Sequence, residues 1–216
     1  MRVLNLLITI LILSANNYSY AGSNRGQFSQ GKQNSAEQSQ ELTAEELDGL
    51  LYMREEEKFA RDVYLTLDSY FDTNIFGNIA SAEQKHMDSV KNLINKYGLT
   101  DPIENEDDIG SFTVLKFSEF YDNSTSNDVT IEEAIRTGIE IEETDIIDIQ
   151  EFINETNNTE IRNVYENLLR GSRNHLRAFV RQLESMGIVY KASFIDQTTA
   201  DAIVDSPTER GSSKNR

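Results

Sequence analysis

This 216-residue sequence predicts an all-α domain: an antiparallel four-helix bundle with one long crossover between helices two and three. Three observations carry that prediction. Four stretches place apolar residues at alternating steps of three and four, the period of a helix with one buried face. Two of them open on a Thr-x-x-Glu capping box, Thr43–Glu46 and Thr130–Glu133, in which threonine and glutamate satisfy free N–H groups reciprocally. The breaks within the first pair of stretches and within the second pair are short, which forces antiparallel neighbours, whereas residues 98–129 separate the pairs.

The elements follow in order. Met1-Arg2 is a short basic start, residues 3–14 (VLNLLITILILS) are nearly all apolar, and Ser19-Tyr20-Ala21 places small residues ahead of Gly22. This is the layout of a cleavable secretory signal over residues 1–21, with an uncleaved tether as the alternative. The apolar run is too short for a comfortable permanent span, so no stable membrane span is expected after cleavage. Residues 22–41 are rich in Ser, Gln, Asn and Gly and read as a disordered linker. Leu50, Met53, Glu57, Ala60, Tyr64, Leu67 and Phe71 then form the stripe of helix one, which Asp72-Thr73-Asn74 breaks. Helix two runs from about Ile75 to Tyr97 on Ile79, Glu83, His86, Val90 and Leu93, with Gly98 as its stop.

Residues 98–129 mix Pro102, acidic residues, Gly110 and short apolar pieces, with one short helix expected near 116–122. A connection of this length can cross the length of the domain, so that helix three starts at the same end as helix two. Helix three carries Ile135, Ile139, Glu142, Ile146, Ile149 and Ile153, and residues 154–158 turn. Helix four, about Thr159 to Met186, carries Ile161, Tyr165, Leu168, Ser172, His175, Phe179 and Leu183, and Gly187 ends it. The bundle is placed at 42–190 and a flexible polar tail at 191–216. Two hairpins joined by one long crossover is the ferritin-like form of a four-helix bundle.

Composition narrows the chemistry. With no cysteine, thiolate metal sites, Fe–S clusters and Cys nucleophiles are excluded. A formal charge of −17 disfavours nucleic acid and anionic membranes as partners and favours cations. Both histidines, His86 and His175, sit on apolar stripes. Glu83-x-x-His86 places both side chains on one helix face, within reach of one ion. Ser172-x-x-His175 repeats the spacing without the acid.

Glu57 and Glu142 stand where their stripes call for a hydrophobe, and Asp145 follows one turn after Glu142. For each there is a plainer alternative: Glu57 as part of the charged run 54–58, Glu142 among Glu140 and Glu143, His175 as a hydrogen-bonded core histidine. Buried bare carboxylates cost several kcal/mol apiece, and a divalent cation offsets this well. Carboxylate and imidazole together suit Fe and Mn, and also Zn.

These residues carry a resemblance. Glu57-Lys58-Phe59-Ala60-Arg61-Asp62-Val63-Tyr64 resembles the Glu-x-x-Ala-x-x-x-Tyr of the first helix in bacterioferritins and rubrerythrins, and Glu83-x-x-His86 their second-helix motif. MREEEKFARDVY, IEETDIIDI and VYENLLRGSRNHLRAF look like a bacterial family of uncharacterised ferritin-like proteins, over roughly residues 42–186. The resemblance implies Glu57 as a terminal ligand, Glu83 as a bridge, His86 and His175 as imidazole ligands and Glu142 as the third-helix carboxylate. The chain departs from the pattern at Ser172, where a second bridging Glu is wanted: either Asp145 or Glu143 supplies that charge, or the site holds one metal, or it has lost redox function.

The expectation is therefore an exported protein, periplasmic or extracellular, that binds one or two Fe ions (Mn or Zn also fit) and performs ferroxidase- or peroxidase-type redox chemistry with O2 or peroxide. Tyr64 is the candidate catalytic side chain, as a hydrogen-bond donor or redox-active group. The alternative is a non-enzymatic secreted bundle for metal sequestration or partner binding, in which Arg54, Arg61, Arg173 and Arg177 pair with the buried acids. The oligomeric state is left open, and a dimer is compatible with the sequence.

Overall fold

The computed structural model describes residues 41–211. The expected signal segment, most of the linker and the last five residues lie outside the described residues. Within them the protein is all-helical, with no strand, in six helices: α1 (Ala44–Tyr70), α2 (Asn74–Lys96), α3 (Leu115–Ser124), α4 (Ile131–Glu155), α5 (Thr159–Ser185) and α6 (Gln197–Val204).

Local signals set the helix ends. Both Thr-x-x-Glu boxes close reciprocally at the starts of α1 and α4. Asn158 caps α5 by accepting from the N–H groups of Glu160 and Ile161. Gly98 and Gly187 adopt positive φ of 69° and 79° just past α2 and α5. In each case the next two N–H groups return to carbonyls of the last turn, as in Leu99 N to Ile94 O (2.9 Å) and Gly187 N to Glu184 O (2.8 Å).

α1 packs along α2 and α4 along α5, while α1 also meets α4 and α2 meets α5. Directions follow from the ties between ends. Glu46, at the start of α1, accepts from Thr156 Oγ1 and Asn158 N beyond the end of α4. Tyr64, near the other end of α1, reaches Gly138 O near the start of α4. α1 and α4 are thus antiparallel, and since each hairpin is antiparallel, α2 and α4 run the same way. The segment 97–130 must therefore travel the length of the helices, and it does so along the back of α1.

That passage explains why α1 is buried on nearly all sides. Its run Arg54-Glu55-Glu56-Glu57-Lys58, with Arg61 and Asp62, reads locally as a solvated face, yet all seven residues are buried. Arg54 pairs with Asp101 (3.0 Å) and with Glu106. Glu55 accepts from the N–H of Thr113 (2.7 Å) and of Val114 (3.2 Å). Lys58 donates to Asp108 O and pairs with Asp62, which also accepts from Gly110 N. Phe59 stacks on Phe117 of α3 at 5.0 Å between centroids. Buried charges persist only when paired in this way.

The C-terminal stretch differs from the loose tail its polarity suggests. α6 docks on α5, with Ala200 and Ile203 buried. Arg177, 2 % exposed, donates to Ile203 O, Ser206 Oγ and Glu209. Arg173 pairs with Glu209 as well. This docking escapes a periodicity reading because Ile203 O, Ser206 and Glu209 find their partners on distant arginines of α5.

Candidate metal centre

Each long helix sends one or two ionisable side chains to a common level in the core. α1 supplies Glu57, α2 supplies Glu83 and His86, α4 supplies Glu142, and α5 supplies His175. They form two triads, Glu57–Glu83–His86 and Glu83–Glu142–His175, whose donor atoms lie within 4.8 Å of one another in each. Glu83 belongs to both. Its Oε2 is 2.6 Å from His86 Nδ1, and its Oε1 is 2.8 Å from His175 Nδ1. Glu57 Oε2 lies 3.2 Å from His86 Nδ1, and Glu142 Oε2 lies 3.5 Å from His175 Nδ1. The two imidazole rings are 5.8 Å apart between centroids.

The three glutamates are fully enclosed, whereas His86 and His175 keep 15 % and 12 % of their side chains exposed. Burial raises the Glu57 carboxyl, and despite the opposing His86 it stands at about 7. Burial also acts to raise Glu83, but the flanking imidazoles His175 and His86 overcome it and hold the group well below the usual range. Burial alone would lower both histidines. The carboxylates of Glu57 and Glu83 instead lift His86 to about 10, and Glu83 and Glu142 lift His175 well above its ordinary value.

The polar satisfaction is incomplete in a patterned way. Among the described residues, the buried side-chain atoms with no hydrogen-bond partner include Glu57 Oε1, Glu83 Oε1, Glu142 Oε2 and His175 Nδ1. His175 Nδ1 and Glu83 Oε1 are close, yet their approach lacks hydrogen-bond geometry. Buried polar atoms are nearly always paired, so four unpaired donors converging from different helices ask for a shared partner. Carboxylate oxygen and imidazole nitrogen form a donor set for a divalent transition ion.

The other expected site residues fall as follows. Tyr64 is fully buried and donates to Glu142 Oε1 at 2.6 Å, which orients that carboxylate. Ser172 is buried, but its hydroxyl donates back to Leu168 O at 3.2 Å and stays within its own helix. Asp145 is buried at 2 % exposure and is raised far above its usual range, by burial first and then by Glu56, Glu142, Glu57 and Glu83. It belongs to neither triad.

Glu143 is not available as the compensating acid. It accepts from Tyr190 OH (2.7 Å) and from the N–H groups of Ser193 (2.8 Å) and Phe194 (2.6 Å), anchoring the segment before α6. The four arginines offered as partners for the central acids are also engaged elsewhere: Arg54 and Arg61 hold the crossover, and Arg173 and Arg177 hold Glu209.

Two residues near the centre escape the periodicity. Gly171 lies against the His86 ring, and a methyl group built there would come within 2.6 Å of Nε2. A glycine inside a long helix, four residues before His175, is the signal that marks it, since glycine is unfavourable there without a packing reason. Glu56, beside Glu57, is 2 % exposed with one carboxylate oxygen unpartnered. α3 of the crossover and α4 together make that position internal.

The chain belongs to the family described as Uncharacterized protein domain (DUF2202), which matches residues 46–207. The match takes in α6 and its approach. The chain is 48 % identical to Uncharacterized protein MJ0754 of Methanocaldococcus jannaschii over 173 residues, covering 80 % of this chain and 93 % of that protein. The crystal structure of hypothetical protein MJ0754 from Methanococcus jannaschii DSM 2661 superposes with a TM-score of 0.72 at 44 % identity, covering 84 % of this chain and 100 % of the other. That relative is archaeal, and these matches do not show a specifically bacterial family.

Proposed function

We propose that this chain is an exported, ferritin-like metalloprotein that holds one or two Fe or Mn ions between its four long helices and uses them in redox chemistry on O2 or peroxide. The observation that carries the reading is the pair of triads sharing Glu83, with four of their buried donor atoms unpartnered. The helix order supports the ferritin-like part: two antiparallel hairpins, a crossover running their length, and acids and imidazoles facing inward from all four helices. The basic-then-apolar start of the sequence supports export to the periplasm or beyond.

Glu57 and His86 would hold one ion, Glu142 and His175 the other, and Glu83 would serve both. A bound Fe or Mn ion would supply one-electron chemistry and open positions for an oxidant. Tyr64 fixes the orientation of Glu142 by donating to it, and it is the nearest hydroxyl able to pass a proton or hydrogen bond to that carboxylate. The packed helices and the crossover keep bulk water from the carboxylates, which strengthens their hold on a cation. The serine at position 172 leaves α5 without a carboxylate at the centre, and this favours sequestration without turnover as the second reading.

Elemental analysis of protein purified without chelator tests the metal, beside a Glu83→Ala/His86→Ala variant. One or two equivalents of Fe or Mn per chain are expected in the wild type and background levels in the variant. Background levels in the wild type would overturn the proposal. Mixing Fe(II)-loaded protein with O2 or peroxide then separates turnover from sequestration, which leaves the spectrum unchanged.

A further inference from the structure

A cavity of about 30 Å³ lies between α1, α3 and α4, outside both triads but beside them. Its walls include Phe59, Phe117 and Ile141, and its polar lining includes Glu56, Asp145 and the half-buried Glu140. Glu56 and Asp145 are each 2 % exposed, and Glu56 Oε2 has no partner. Asp148 stands beside Glu56 and accepts from Tyr52 OH at 2.9 Å. Lys116, which also lines the cavity, donates to Tyr52 OH at 2.7 Å and lies 4.6 Å from the centre of that ring.

We propose that this cavity is a transit site for a divalent cation on its way to the central triads, held by Glu56 and Asp145 and entered past Glu140. The inference rests on the metal-binding reading above and adds a loading route to it. Its acids connect the outside to the centre by position alone. Glu140 is half-buried, Asp145 sits one turn from Glu142 on α4, and Glu56 precedes Glu57 on α1. Such a line of one sign between low-dielectric walls draws cations inward. The cavity has room for one small guest, on the scale of a water molecule or a partly dehydrated ion. Two buried carboxylates without an imidazole hold a hard cation more loosely than either triad, which is what transit requires. Lys116 is the competing cation at this site, where its ammonium balances the acids until an ion displaces it.

Anaerobic loading of the full, metal-free protein with Co2+ tests this, because Co2+ reports its coordination in the visible spectrum and does not react with the centre. The wild type should take up two tight equivalents and a third, weaker one. Glu56→Gln and Asp145→Asn should keep the two tight equivalents, lose the third, and slow loading about tenfold or more. Lys116→Met should speed loading, a direction that mere damage to the fold does not produce. A wild type that stops at two equivalents, or carboxamide variants that load as fast as wild type, would overturn the transit site and leave the centre standing. No uptake by the wild type would overturn both.

Discussion

Gly171 shows how tightly the centre depends on a residue that carries no functional group. The His86 ring occupies the space a side chain at 171 would need, while Glu57 and Glu83 hold its Nδ1 from the opposite side. Gly171→Ala should therefore push His86 out of register without disturbing helix content, since alanine is the better helix former. Metal affinity is expected to fall about 10- to 100-fold, the usual loss when a ligand's support is removed. Competition with a chromophoric chelator measures it, and an alanine variant that binds as tightly as wild type would show that the ring has room to move. Ser172, by contrast, spends its hydroxyl on Leu168 O, so its contribution to the centre is the absence of a carboxylate.

At the scale of elements, the decisive pieces are those that cover a helix face its own sequence leaves polar. The crossover buries the charged back of α1, and the stretch 190–209 covers α4 and α5. Glu143 is the pin of the second cover, taking one hydroxyl and the N–H groups of Ser193 and Phe194 at 2.6–2.8 Å. Glu143→Ala leaves Tyr190 OH and those N–H groups without their acceptor. The expected cost is at least about 2 kcal/mol, since hydrogen bonds to a charged group each contribute about 1.5–3 kcal/mol. Hydrogen exchange should rise over residues 190–204 and stay unchanged in α2. Uniformly faster exchange across all helices would instead mean that Glu143 supports the whole core.

For the whole molecule, the proposed metal centre would link metal, protons and stability. His86 and His175 are lifted by the glutamates around them, His86 to about 10. An imidazole must lose its proton to bind a metal, so loading should release protons and tighten as pH rises. Calorimetric titrations in buffers of different ionisation heat count those protons, and a buffer-independent heat would contradict the assignment. The metal-free protein should behave in the opposite sense. A folded-state value above the ordinary His value of about 6.5 gives stability that is fully present below that pH and is lost as pH climbs through about 10. Glu57, raised by burial to about 7, acts in the same direction between its ordinary value and 7. Denaturant unfolding of metal-free protein should thus show stability declining from mildly acidic to alkaline pH. A Glu83→Ala/His86→Ala variant should show a flatter decline.

Much of this was legible along the chain. Capping threonines, glycine stops and the three-four rhythm are local signals, so the four long helices and their inward Glu57, Glu83, His86, Glu142 and His175 could be read directly. Spacing alone also paired Glu83 with His86, because one helix turn brings them together. What lay beyond local reading depended on which surfaces meet. Arg54, Glu55 and Lys58 are buried because the crossover passes over them, and Asp145 is parted from the triads although it shares a helix face with Glu142. Glu143 faces the C-terminal segment, and residues 190–209 are ordered by arginines from α5. A helix's period tells which residues share a face; whether that face meets water, a carboxylate or another helix is settled only when distant segments pack.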